Sequence, residues 1–100
     1  MKFGLKESEL KVIIDYLKNF KEVQKVVIFG SRARGDYKEY SDIDLCVFTL
    51  NSATRIELPS KEELDNLRVP YLFDLAIWNQ ITNEKFKDRI LRDGVVIWEK

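Results

Sequence analysis

The residues with the most chemical potential in this 100-residue chain are acids on an alternating segment. Ser41-Asp42-Ile43-Asp44-Leu45 sets two carboxylates two residues apart, interleaved with Ile43, Leu45 and Val47. Side chains two apart on a strand share a face. Asp42 and Asp44 therefore project together, and the aliphatic residues face a core. At about 4 Å and an effective dielectric near 20, two such charges repel by roughly 4 kcal/mol. A divalent cation held by oxygens removes that cost, and Mg²⁺ commonly takes one or two carboxylates plus substrate phosphates. A third acid, Asp74, interrupts the apolar run from Tyr71 to Trp78, which otherwise reads as a central strand. A lone carboxylate buried there is costly unless paired or metal-bound. Beside the first acidic strand, Asp74 would complete a three-carboxylate cluster, a set suited to two metal ions and to phosphoryl or nucleotidyl transfer.

A second feature precedes the acids. The apolar run Val26-Val27-Ile28-Phe29 leads directly into Gly30-Ser31. Glycine lets a backbone approach a ligand closely. Ser31 is placed to cap a short segment, Arg32–Arg34, whose free amides would form an anion site. Arg32 and Arg34 add guanidinium groups suited to phosphate oxygens. Taken singly, each feature has an ordinary reading: a solvated strand edge or turn for Asp42 and Asp44, a half-exposed edge residue or an arginine's partner for Asp74, a strand-to-turn Gly-Ser with solvated arginines. The combination is what points to a site, with a phosphate-cradling turn after one strand, paired acids on the next and a further acid on the one after.

Composition excludes other chemistries. The chain has no histidine, which removes Ser-His-Asp and Cys-His hydrolysis, His-ligated zinc and His-pair acid–base catalysis. Its single cysteine, Cys46, allows no intrachain disulfide and reads as a small core residue. Lys+Arg and Asp+Glu are 17 each, so no positive excess marks a nucleic-acid footprint. The segment MKFGLKESELKVII lacks the apolar stretch of a signal peptide, and no apolar run approaches a membrane span. The expectation is a soluble, cytoplasmic, single-domain protein over residues 1–100.

The elements that must position these residues follow from periodicity. Leu10, Ile13, Ile14, Leu17 and Phe20 recur at helical spacing and predict an amphipathic helix over about 7–20. Strands are expected at 26–29, 43–47, 71–78 and 95–98, with a loop over 49–58. Ser60-Lys61-Glu62-Glu63 reads as a capping box opening a short helix over about 61–68, ended by Pro70. Thr82 is placed to cap a last helix carrying Phe86, Ile90 and Leu91, with Gly94 as its C′ stop. Strands and helices mix without strict alternation. The expected fold is α/β (α+β), a mixed sheet of about four strands with helices packed mainly on one face.

Gly30-Ser31-Arg32-Ala33-Arg34-Gly35, followed by Ser41-Asp42-Ile43-Asp44-Leu45 and a later strand Asp, resembles the polymerase-beta-type nucleotidyltransferase superfamily. It is most similar to the minimal nucleotidyltransferase (MNT) branch, whose members are encoded beside HEPN-domain proteins and several of which act as antitoxins. The resemblance spans nearly the whole chain, and no residue of the motif is missing. It implies that Gly30 and Ser31 hold a nucleotide triphosphate, with Arg32 and Arg34 as phosphate contacts. It implies that Asp42, Asp44 and Asp74 bind one or two Mg²⁺ ions, and that Asp74 assists deprotonation of an acceptor hydroxyl. The implied reaction is attack of a hydroxyl on the α-phosphorus of ATP with release of pyrophosphate. No further domain is in the sequence to grip an acceptor, so a partner chain is expected to supply it in a hetero-oligomer. In this family the partner is a HEPN toxin RNase, and the resemblance implies an adenylyltransferase antitoxin. Two other readings stand beside it: an antitoxin that neutralises by contact, and a small-molecule nucleotidyltransferase whose acceptor site is partly supplied by a partner.

Overall fold

A computed structural model describes residues 1–50 and 58–100. Its elements are α1 (Glu7–Leu17), β1 (Val23–Phe29), α2 (Gly30–Arg34), β2 (Ile43–Thr49), α3 (Lys61–Asp65), β3 (Phe73–Ile77), a 3₁₀ turn (Trp78–Gln80), α4 (Glu84–Asp93) and β4 (Val95–Glu99). The loop expected over 49–58 falls, for residues 51–57, outside the described residues; Thr49 is the last residue of β2. The four strands form one mixed sheet in the order β3-β2-β1-β4. β1 runs antiparallel to both β2 and β4, and β2 runs parallel to β3. The mixed sheet matches the architecture read from the sequence.

Period-2 alternation divides the sheet into two unlike faces. Val26 and Ile28 of β1, Ile43, Leu45 and Val47 of β2, and Phe73 of β3 share one buried cluster with Ile13 and Leu17 of α1 and Leu64 of α3. Of the predicted stripe, Leu10, Ile13, Leu17 and Phe20 pack there and Ile14 is not in the cluster; α1 ends at Leu17, before Phe20. The other face carries a smaller cluster of Val27, Cys46 and Ile90, flanked by Phe29, Phe48, Ala76, Trp78 and Phe86. α1 and α3 thus cover the main core, and α4 adds a second layer on the opposite face. Burial pushes the Cys46 thiol up to about 12, as suits a core residue with no thiolate chemistry.

Element ends follow local chemistry, with some differences from expectation. Ser60 caps α3 as predicted, its hydroxyl accepting from the Glu63 amide at 3.1 Å. α4 is capped by Asn83 rather than Thr82; the Asn83 side-chain oxygen accepts from the Phe86 amide at 3.0 Å. Gly94 ends α4 in an extended conformation, not the left-handed one expected of a C′ glycine. A Cβ there would lie 2.4 Å from the Ile90 carbonyl oxygen and 2.6 Å from a Val27 methyl, so close packing against β1 is what favours glycine. β3 differs most in consequence. Its apolar run suggested a central strand, yet it is an edge strand, and Asp74 is exposed. Its apolar character arises because Phe73, Leu75 and Ile77 pack on the α1–α3 core, and the Phe73 amide donates to Asp65 Oδ1 at 2.9 Å.

Candidate active site

The three strands β1, β2 and β3 bring the chemistry together by register. Phe29 lies opposite Asp44 across the antiparallel pair, and Asp44 lies opposite Asp74 across the parallel one. Adjacent strands are spaced by about 4.8 Å, so the two carboxylates are immediate neighbours on one face. Asp42 lies one residue before β2 and is exposed. The row sits where β1 ends and β2 and β3 begin, beside α2.

Gly30 closes this row against Asp44. Its φ is +72°, in the left-handed region that side chains disfavour. A Cβ on Gly30 would stand 2.0 Å from Asp44 Oδ2. Both conformation and contact therefore require glycine, and the backbone after β1 abuts the carboxylate. α2 begins at Gly30 itself, so Ser31 lies inside its first turn and does not serve as the cap.

The electrostatics match a strained acidic cluster. Asp44 is raised to about 6, first by burial, then by the charge of Asp74, a hydrogen bond with Asp74 and the charge of Asp42; Arg34 opposes the shift. The sign gives a stability prediction. With a folded pKa near 6 and an ordinary value of 3.8, the folded protein holds the proton longer than the unfolded chain. Stability on this account declines as pH rises from about 4 through about 6, and the cost is fully present above that range. In a metal-chelated buffer at pH 7, Asp44→Asn should gain about 1 kcal/mol after allowance for partial exposure, a rise of about 4–8 °C in melting temperature. The gain should shrink towards zero at pH 4. A melting curve at the two pH values checks this.

Among the described residues, no three carboxylate or thiol side chains form a ready-made metal cage. The donor set nonetheless suits a hard cation shared with a phosphate. Asp44 and Asp74 stand side by side, and burial, then the charges of Asp74 and Asp42, raises Asp44.

The two arginines diverge. Arg34 is exposed and lines an open cleft of about 200 Å³ with Phe29, Gly30, Asp44, Phe86, Arg89 and Asp93. It bridges to Asp36 at 3.3 Å and Asp93 at 3.4 Å, tying α2 to α4. Arg32 does not join the acids. Its side chain is buried and donates to the Ser41 carbonyl at 3.0 Å and the Phe3 carbonyl at 2.9 Å. The structure thus brings together Gly30, Arg34, Asp44 and Asp74, with Ser31 and Asp42 adjoining, and turns Arg32 away.

Phe86, Arg89 and Asp93 on α4 were absent from the sequence reading of the site. Arg89 stands three residues after Phe86, the spacing of one helical face, and its guanidinium lies 5.7 Å from the Phe86 ring centre. That spacing is visible in the sequence. That α4 crosses the acidic face is not.

A strand–glycine–helix turn stands beside paired strand acids, and α4 lines the open cleft next to them. Residues 11–100 match the family model described as Polymerase beta, Nucleotidyltransferase. The probable protein adenylyltransferase MntA of Haemophilus influenzae is 34% identical over 99 residues, covering 96% of this chain and 84% of its own length. A crystal structure of a toxin–antitoxin with AMP-PNP superposes with a TM-score of 0.70 at 20% identity, covering 96% of this chain and 75% of that one. A tri-AMPylated Shewanella oneidensis HEPN toxin in complex with an MNT antitoxin gives 0.69 at 18% identity, covering 96% and 74%. The chain belongs to the polymerase beta nucleotidyltransferase family. No helix among the described residues is long and apolar enough to cross a membrane.

Proposed function

We propose that this protein is a Mg²⁺-dependent protein adenylyltransferase acting as an antitoxin, which transfers AMP from ATP to a hydroxyl of a partner HEPN toxin RNase. The observation that carries the reading is the row Gly30–Asp44–Asp74, a close-approach glycine against one carboxylate with a second, exposed carboxylate beside it. The relative named a protein adenylyltransferase, and the toxin–antitoxin fold neighbours, support the acceptor class. The reading entails a cytoplasmic protein, where ATP is at hand.

In this reading the first-turn backbone of α2, at Gly30 and Ser31, receives the triphosphate, since amides there lack intrahelical acceptors. Arg34 and Arg89 flank the cleft and neutralise phosphate charge. Asp42 and Asp44, with Asp74, would hold one or two Mg²⁺ ions, whose charge would polarise the phosphoryl oxygens. Asp74, open to solvent, accepts the proton of the acceptor hydroxyl. The hydroxyl oxygen forms a bond to the α-phosphorus, the bond from that phosphorus to the bridging oxygen breaks, and pyrophosphate leaves. Arg32, buried away from the cleft, has no part in phosphate binding here.

Arg89→Ala should raise the nucleotide KM about fivefold and leave kcat nearly unchanged, as expected for one charge-assisted contact made before the transition state. Steady-state kinetics at varied MgATP reads this directly. The reading as a whole is tested by intact-mass spectrometry of a co-purified HEPN-domain partner after incubation with MgATP. AMP-sized additions to the partner support it. A stable complex without additions favours neutralisation by contact. Modification of an added small molecule, with the partner unmodified, favours the small-molecule reading.

A further inference from the structure

We infer that Arg32 is a positioning residue for the acidic site: its guanidinium ties the backbone immediately before Asp42 to the N-terminal turn, and so sets where the Asp42 carboxylate stands. The inference rests on the reading of the acids as a divalent-cation site.

The starting observation is a cation where packing alone would not put one. Among the described residues Arg32 is the only buried polar or charged side chain, at 2% exposure. It has no carboxylate partner among its hydrogen bonds. Nε donates to the Ser41 carbonyl and Nη1 to the Phe3 carbonyl, and Nη2 is buried with no partner. The rings of Tyr71 and Tyr37 lie 4.3 and 5.2 Å from the guanidinium carbon, on which they present π faces. An ion desolvated in this way is costly, so its retention calls for a role that an aliphatic residue would not fill.

The groups it holds indicate the role. Asp44 and Asp74 are placed by strand register. Asp42 is not, because β2 begins one residue later. On its C-terminal side the chain is fixed by the Ile43 amide donating to the Leu72 carbonyl at 2.9 Å. On its N-terminal side the Ser41 amide donates to the Lys38 carbonyl, the Ser41 hydroxyl accepts from the Lys38 amide, and the Ser41 carbonyl is held by Arg32. Arg32 therefore completes the clamp on the one acid that the sheet leaves unplaced.

The far end of the clamp is built for it. Lys2 and Leu5 exchange backbone hydrogen bonds at 3.2 and 2.8 Å, closing a turn anchored by the fully buried Leu5. Within that turn Phe3 has φ of +58°, a strained conformation for a side-chain-bearing residue, and its carbonyl is the one Arg32 binds. Gly4, at φ +71°, leaves room for the brace: a Cβ would lie 2.8 Å from Arg32 Nη1 and 2.5 Å from the Tyr37 ring. The N-terminal turn thus buttresses the cation site from the opposite end of the guanidinium.

The test is Mn²⁺ binding to the protein without nucleotide, read by the free-ion EPR signal, so that no turnover is involved and no nucleotide competes for the ion. Arg32→Lys keeps the charge and loses the two-directional fork. Gly4→Ala perturbs the same brace without touching the charge, and keeps the test available if Arg32→Lys fails to fold. In variants shown by circular dichroism to be folded at the assay temperature, Mn²⁺ affinity should fall about tenfold or more. In an Asp42→Asn background the Arg32→Lys change should add less than about twofold, since its effect runs through Asp42. Undiminished affinity in the folded variants, or full additivity with Asp42→Asn, would overturn the inference. Absence of Mn²⁺ binding by the wild-type protein would instead overturn the cation reading itself, and this inference with it.

Discussion

Asp42→Asn should retain the fold and lose AMP transfer by on the order of 10³-fold. The side chain is exposed and lies just outside β2, and among the described residues no hydrogen bond of the fold rests on it. Asparagine preserves its shape and removes one charge. The same change relieves the repulsion that raises Asp44, so the variant's melting temperature in chelated buffer should stay level or rise. The loss therefore belongs to chemistry and not to stability. Incubation of the variant with MgATP and a HEPN-domain partner, read by intact mass, should show no AMP-sized addition. Normal transfer by the folded variant would remove Asp42 from the reaction. Neutralisation of the partner that persists without transfer would favour the contact mechanism.

Gly30→Ala is expected to be the most damaging single change to the site. Its methyl group would meet Asp44 Oδ2 at 2.0 Å, far inside contact distance, and the backbone there is left-handed at φ +72°. The chain can respond only by moving Asp44 or by reshaping the turn from β1 into α2. The first response displaces a carboxylate proposed to hold the cation, and the second misplaces the amides proposed to receive phosphate. A loss of about 1–3 kcal/mol in stability is expected from the backbone conformation alone. Transfer should fall about 10²-fold or more even in the folded fraction, because misplacement on the ångström scale is costly to a positioned reaction. Denaturant unfolding and transfer assays on the same sample separate the two effects. Gly35 offers an internal comparison: its φ is +95°, but a Cβ there meets nothing within 4 Å. Gly35→Ala should share the conformational penalty and spare the chemistry.

Much of this protein is legible without coordinates, and the legible part is local. Alternation at Ile43, Leu45 and Val47 determines that Asp44 turns away from the core, because strand period is a property of the backbone; Asp42, one residue before β2, lies beyond its reach. The Leu10–Leu17 stripe identifies the buried side of α1 for the same reason. Gly30-Ser31 after an apolar run marks the turn from β1 into α2, and Ser60 before Glu63 marks the start of α3. The absence of histidine narrows the chemistry before any fold is considered.

What stayed hidden depends on partners distant in the chain. Periodicity cannot say that β3 pairs parallel to β2, yet that pairing alone sets Asp74 opposite Asp44. It cannot say whether β3 is central or at the sheet edge, which is why Asp74 could be read as a buried acid or as an edge residue; β3 is at the edge and Asp74 is exposed. Nor can it say which face α4 covers; its amphipathic pattern would serve on either side, and only packing on Val27 and Cys46 brings Arg89 to the cleft. Arg32 and Arg34 stand two residues apart in the same five-residue helix and go opposite ways, one into the cleft and one into the protein. A long flexible side chain has no local preference strong enough to choose between them. The choice is made by the carbonyls of Phe3 and Ser41 and the ring of Tyr71, groups that meet Arg32 only after the chain has folded.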